Sequence, residues 1–192
     1  MFFEIDRVLI SREQIAARVN ELAEAVARDL MMELQKEGSD ASGAGRVVLV
    51  PIMTGAMIFT ADLIRQMPIK LSLGLVAVSS YPGESVTSKG AHLASELPRD
   101  LAGKHVVIID DILDSGRTLA LMRRAIQDQG AASVRICVLL DKQVERAEDV
   151  SPDYVGFQIP DAFVVGYGLD YNGYYRNYPE IATLKPIALA DR

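Results

Sequence analysis

Apolar residues recur along this chain at two spacings, and the switches between them mark out its elements. Ile15, Val19, Leu22, Val26, Leu30 and Leu34 fall at intervals of three and four, forming one stripe of a long amphipathic helix. Ser11 and Gln14 stand ahead of the stripe at capping-box spacing, which sets where that helix starts. Residues 38–45 are a Gly, Ser and Ala linker with almost no side chain to bury, and read as a loop. Residues 46–52 read as a strand, Met53-Thr54-Gly55 as a tight turn, and residues 56–67 as a helix halted by Pro68. The next strand is predicted over 71–80. From 81 to 103 the pattern dissolves into Pro, Gly, Ser and charge around the fragment Ala91-His92-Leu93-Ala94. A loop this long inside a compact domain is functional or disordered.

The unbroken apolar run from His105 to Ile109 suits a strand buried on both faces. A helix over 118–129 closed by Gly130, a strand over 134–140, and short strands over 154–159 and 162–165 follow, and 167–178 is aromatic-rich and irregular. Strands alternating with helices imply right-handed crossovers and an α/β fold with a mostly parallel, twisted sheet flanked by helices. The first helix and the C-terminal segment fall outside the alternation and are expected to form a second, small lobe.

Composition narrows the classes. The chain has 192 residues, 49% of them hydrophobic, which suits one domain with a full core. A net charge of −6 and a pI near 5.0 argue against a broad basic face for nucleic acid. The one cysteine, Cys137, lies in an apolar run and is expected in the core, so there is no disulfide framework, in keeping with a reducing cytoplasm. The longest uncharged stretch, 47–61, contains Pro51 and Gly55 and falls short of the ~18–20 residues that span a bilayer. The opening residues lack the basic start and apolar core of a signal peptide. The expectation is a soluble cytoplasmic protein with neither nucleic acid nor membrane as a partner.

The chemistry concentrates after the His105–Ile109 run, where the sequence reads Asp110-Asp111-Ile112-Leu113-Asp114-Ser115-Gly116-Arg117-Thr118. Ligands of parallel sheets bind at the carboxyl ends of strands. Gly116 permits a tight turn, while Ser115, Arg117 and Thr118 add donors at a helix N-terminus, where free N–H groups favour a phosphate. Asp110, Asp111 and Asp114 would repel that phosphate. Their crowding makes sense if they face hydroxyls, a metal ion or a developing cation, whereas capping of the helix explains one of them at most.

Residues 110–118 resemble the phosphoribosyl-pyrophosphate motif of type I phosphoribosyltransferases. Leu139-Leu140-Asp141-Lys142 and the stretch 155–171, with Tyr175-Arg176 soon after, resemble the purine-binding end of hypoxanthine-guanine phosphoribosyltransferases. With Ala61-Asp62-Leu63 and Ser80-Tyr81, the resemblance covers roughly 47–178. It implies a Rossmann-like phosphoribosyltransferase domain over 1–192, with a core of about 40–150 and a hood lobe from about 1–10 and 151–192. The implied reaction is magnesium-dependent purine salvage, which moves a 5-phosphoribosyl group from phosphoribosyl pyrophosphate to N9 of hypoxanthine or guanine and releases pyrophosphate.

Carried over by position, Asp110 and Asp111 hold the ribose hydroxyls, and Asp114, Ser115, Gly116, Arg117 and Thr118 wrap the 5′-phosphate. Asp114 also approaches purine N7 as acid or base. Lys142 points at the exocyclic O6, Phe163 stacks on the base, and the Val164 carbonyl accepts from a guanine amino group. Asp170 resembles the magnesium ligand, with Asp110 and Asp111 as further candidates, and Arg176 together with Thr54 and Gly55 faces the pyrophosphate. Ser80 and Tyr81 open a lid loop that excludes water. Two positions depart from the family: Thr54 stands where a Lys or Arg is common, and Asp110 where Glu is common. The family also implies a homodimer or homotetramer.

Lys142 argues against adenine, which offers a donor where O6 accepts, but leaves hypoxanthine, guanine and xanthine open. A xanthine-guanine transferase and a transferase-like RNA-binding regulator are the alternatives, and the acidic balance weighs against the regulator. A receiver domain also pairs acids with a lysine after a later strand. It needs a phosphoacceptor aspartate on a strand between them, and here the lysine strand directly follows the acidic one.

Overall fold

The computed structural model describes residues 2–38, 40, 42–79, 92–93 and 96–189. Strand β1 (Ile5–Ile10) leads into helix α1 (Arg12–Lys36), whose cap is reciprocal: the Ser11 hydroxyl accepts from the Gln14 N–H, and the Gln14 side chain accepts from the Ser11 N–H. The chain continues through β2 (Val47–Met53), α2 (Met57–Gln66), β3 (Ser72–Leu73), β4 (Val76–Ser79) and β5 (His92–Leu93). Then come β6 (His105–Leu113), α3 (Arg117–Asp128), β7 (Ser133–Lys142), β8 (Tyr154–Ile159), β9 (Val164–Val165), β10 (Ile181–Leu184) and the short α4 (Pro186–Leu189).

The large sheet runs β5-β4-β2-β6-β7-β8, with β3 also paired to β2. Its pairings are parallel except the antiparallel β4–β5 edge. Period-two alternation splits the buried residues of the central strands between two cores. Val47, Leu49, Val107 and Ile109 pack with α1 and α2, whereas Val48, Val50, Val106 and Ile108 pack with α3. Cys137 is fully buried, and burial pushes its thiol up to about 12.

Three differences from the sequence reading matter. The strand expected over 71–80 is interrupted after Leu73, where the Gly74 N–H still donates to the Leu49 carbonyl at 2.9 Å and Pro98 packs where a side chain at 74 would stand. Within the fragment 91–94, His92 and Leu93 pair with β4. β6 does not stop at Ile109 either. Its ladder to β7 continues in unchanged register, Asp110 opposite Val138 and Leu113 opposite Asp141, since backbone pairing is indifferent to the acids the strand carries.

A separate three-stranded sheet joins β1, β10 and β9. It unites the chain's two ends through antiparallel pairs such as Ile5 with Leu184, and it sits in sequence where the hood was expected. β8, from the same C-terminal segment, instead extends the large sheet. Among the described residues no helix is long and apolar enough to cross a membrane.

Candidate active site

The turn joining β6 to α3 is shaped for an anion. Gly116 precedes the helix at φ 80°, a left-handed conformation, and a side chain there would press on the Glu148 carbonyl. The segment after β7 braces the turn from behind, since the N–H groups of Ala147 and Glu148 donate to the Ser115 carbonyl at 3.1 and 3.3 Å. No side chain caps α3, which leaves its first N–H groups for a ligand. A cavity of about 80 Å³ results, bounded by Asp110, Asp114, Ser115, Gly116 and Thr118. Arg117 is exposed beside it, at the first turn of α3.

A second cavity, about 200 Å³, is lined by Asp111, Asp114, Lys142, Phe163, Val164 and Asp170. Asp114 belongs to both cavities. The Lys142 ammonium lies 2.8 Å from Asp161 and 3.4 Å from Asp114. The hydrogen bond that the ammonium donates to Asp161 and the nearby charge of Asp114 raise its pKa, so Lys142 stays protonated throughout the neutral range. Phe163 meets Tyr171 edge-on, with ring centroids 5.5 Å apart. Val164 is fixed in β9 opposite Thr183.

Asp110 and Asp111, adjacent in sequence, divide between the cavities: Asp110 lines the smaller and Asp111 the larger. Burial, and then the neighbouring Asp111 charge, push the Asp110 carboxyl well above the usual carboxylate range. Burial raises Asp111 too, opposed first by its side-chain hydrogen bond with Asp110 and least by the charge of Arg176.

The third corner is packed around glycine. A side chain on Gly55 would collide with the Asp111 carboxylate, and one on Gly168 (φ 107°) with the Gly55 carbonyl. Arg176 donates to the Gly168 carbonyl at 2.6 Å and pairs with Asp170 at 2.6 Å, and Asp170 also accepts from the Gly173 N–H. The Met53–Thr54 peptide is cis, and Thr54 is exposed. Asp170 offers a hard oxygen donor beside Asp111, the chemistry a magnesium ion takes. Among the described residues no group of three or more His, Cys, Asp or Glu is arranged around a metal position.

The fold thus gathers Thr54, Gly55, Asp110, Asp111, Asp114–Thr118, Lys142, Phe163, Val164, Asp170 and Arg176 around the carboxyl end of the sheet. Ser80 and Tyr81 lie outside the described residues. The sequence reading missed Asp161, the nearest anion to Lys142, and Arg146, which pairs with Asp141 and donates to the Val150 carbonyl. One signal was available for Asp161: a lysine buried at a strand end needs a counter-charge, and Asp161 lies just before the aromatic at 163 in the stretch that carries the purine resemblance.

Residues 13–172 match the phosphoribosyl transferase domain model. The hypoxanthine-guanine phosphoribosyltransferase of Bacillus subtilis (strain 168) is 39% identical over 186 residues, covering 97% of each chain. A crystal structure of a Bacillus anthracis hypoxanthine-guanine phosphoribosyltransferase superposes with a TM-score of 0.82 at 35% identity, covering 95% of this chain and all of that one. A point mutant of the Trypanosoma cruzi hypoxanthine phosphoribosyltransferase, solved with the product IMP, gives 0.87 at 32% identity, covering all of this chain and 96% of that one. Sequence, fold and the gathering of these side chains agree: the chain belongs to the hypoxanthine-guanine phosphoribosyltransferases.

Proposed function

We propose that this protein transfers a 5-phosphoribosyl group from phosphoribosyl pyrophosphate to N9 of hypoxanthine or guanine, in purine salvage. The observation that carries this reading is Asp114, the acid that borders the anion turn and also reaches the lysine of the larger cavity. A group so placed stands between a sugar phosphate and a base.

In this reading the 5′-phosphate sits on the N–H groups and hydroxyls of 115–118, with Arg117 adding positive charge at the rim. Asp110 and Asp111 accept from ribose hydroxyls. The base lies against Phe163, with O6 on Lys142 and a guanine amino group on the Val164 carbonyl. As the N9–C1′ bond forms and the C1′–oxygen bond breaks, the pyrophosphate leaves with the electron pair, and the proton that the base gives up passes from N7 to Asp114. The carboxylates also stabilise the oxocarbenium character at C1′. Pyrophosphate departs toward Arg176 and the backbone of Thr54 and Gly55. Asp170, with Asp110 and Asp111 nearby, would hold a magnesium ion, which would supply positive charge against the departing pyrophosphate.

Ser80 and Tyr81 are assigned to a closing loop on family resemblance. A cytoplasmic location fits the lone, buried Cys137, and exposed apolar side chains at Met57, Leu73 and Leu75 fit a homodimer or homotetramer. Sedimentation tests the oligomer. The decisive experiment mixes purified protein, magnesium and phosphoribosyl pyrophosphate with adenine, hypoxanthine, guanine or xanthine, and follows nucleotide formation. Turnover of hypoxanthine and guanine is expected; no turnover of any base overturns the enzyme, and turnover of adenine alone overturns the role of Lys142.

A further inference from the structure

Lys142 sits in unusual company. Its side chain is only 14% exposed, and two carboxylates from different parts of the fold reach its single ammonium. Asp114 comes from the turn after β6, and Asp161 from the turn between β8 and β9. The acid next to it in sequence plays no part, because the Asp141 carboxylate is taken by Arg146 and by the Gln143 amide.

Of the two competing acids, Asp161 holds the lysine at 2.8 Å and Asp114 at 3.4 Å. An ammonium has three N–H donors. With one on Asp161 and one toward Asp114, the third is free for an acceptor in the cavity. Without Asp161, the lysine's remaining anion is Asp114, and two things follow. The ammonium swings off the position that an acceptor on the base requires, and it neutralises the carboxylate meant to take a proton.

We infer that Asp161 is a positioning residue for base recognition, which holds the Lys142 ammonium on the O6 side of the purine and keeps it from closing onto Asp114. The inference rests on the purine reading of the larger cavity. Asp161 itself touches neither base nor sugar in this arrangement. It is 71% exposed, so replacing it leaves the fold intact, while the consequence is felt at a side chain that is mostly buried.

The test compares wild type, Asp161→Asn, Asp161→Glu, Lys142→Gln and the Asn/Gln double variant, with thermal melting to confirm that each is folded. Asp161→Asn is expected to raise the KM for hypoxanthine roughly ten-fold, the scale of a misplaced binding group, with the KM for phosphoribosyl pyrophosphate within about two-fold of wild type. Asp161→Glu is expected to restore most of the loss. In the Lys142→Gln background Asp161→Asn is expected to add nothing, because its effect runs through that lysine. An unchanged hypoxanthine KM, an equal loss for both substrates, or additive losses in the double variant would overturn the inference while leaving the enzyme assignment standing. Absence of wild-type turnover with every base would remove the purine reading itself, and the inference with it.

Discussion

Strand β6 carries a buried ionisable side chain toward each end, His105 and Asp110, and the acids around the two ends are matched differently. At its start His105, 2% exposed, places Nδ1 2.9 Å from the Ser133 hydroxyl and 3.2 Å from Glu33, and Nε2 3.3 Å from Glu37. Glu33 is in turn paired with Arg135 at 2.5 Å and Glu37 with Arg46 at 2.6 Å. Every acid there has a base. At the other end Asp110 and Asp111 stand side by side, hydrogen-bonded to each other, and Arg176, whose charge acts on Asp111, is already paired with Asp170. The carboxylates at the starting end are each matched by a base and those at the finishing end are not, an imbalance that marks the finishing end as the candidate site. The starting end ties α1 to the sheet; the finishing end is stocked for chemistry.

The largest effect that separates the two ends is catalytic. Asp114→Asn is expected to lower kcat ~10²- to 10⁴-fold, the usual contribution of a positioned acid or base, while nucleotide affinity and melting temperature change little. Steady-state rates set beside equilibrium nucleotide binding measure this. An equal loss in both would make Asp114 a structural acid like those at the other end of the strand.

The next effect has the opposite signature. Glu33→Ala leaves Arg135 without its partner and takes one acid from His105, so it is expected to cost about 2 kcal/mol of unfolding free energy in urea titrations, with kcat unchanged. A fall in kcat at full occupancy of both substrates would mean that the strand transmits strain from end to end, and the division of labour would not hold.

How much of this was legible beforehand follows from how local each feature is. The capping box at Ser11, the apolar stripe of α1, the alternation of strands and helices and the anion turn at 114–118 are written in contiguous residues, and a reader of spacing finds them. The Glu33–His105 contact joins residues far apart in the chain, and the pairing of Ile5 with Leu184 joins its two ends, so neither leaves a local pattern. Asp161 was passed over for the same reason: its meaning comes from a lysine that is distant in sequence, at the end of β7. The extent of β6 was misjudged because two acids look like the end of a strand, whereas the ladder to β7 carries them inward. That error concealed the most consequential fact about Asp110, its burial.

The smallest expected effect tests that burial directly. The folded pKa of Asp110 lies above the ordinary 3.8, through burial first and the Asp111 charge second. For a carboxyl raised on folding, the favourable contribution is complete below about 3.8 and is lost as the pH climbs through the folded value. Asparagine keeps the shape and still accepts the Asp111 N–H, which Asp110 binds at 3.1 Å, but it never ionises. Ligand-free Asp110→Asn is therefore expected to be more stable than wild type at neutral pH, with the advantage shrinking to nothing as the pH approaches 4. Urea unfolding at the two pH values reads it. The sign is opposite to that of Glu33→Ala, whose side chain reaches the other end of β6 from α1, and a destabilised Asp110→Asn protein would place this acid among the satisfied ones and erase the contrast between the two ends of β6.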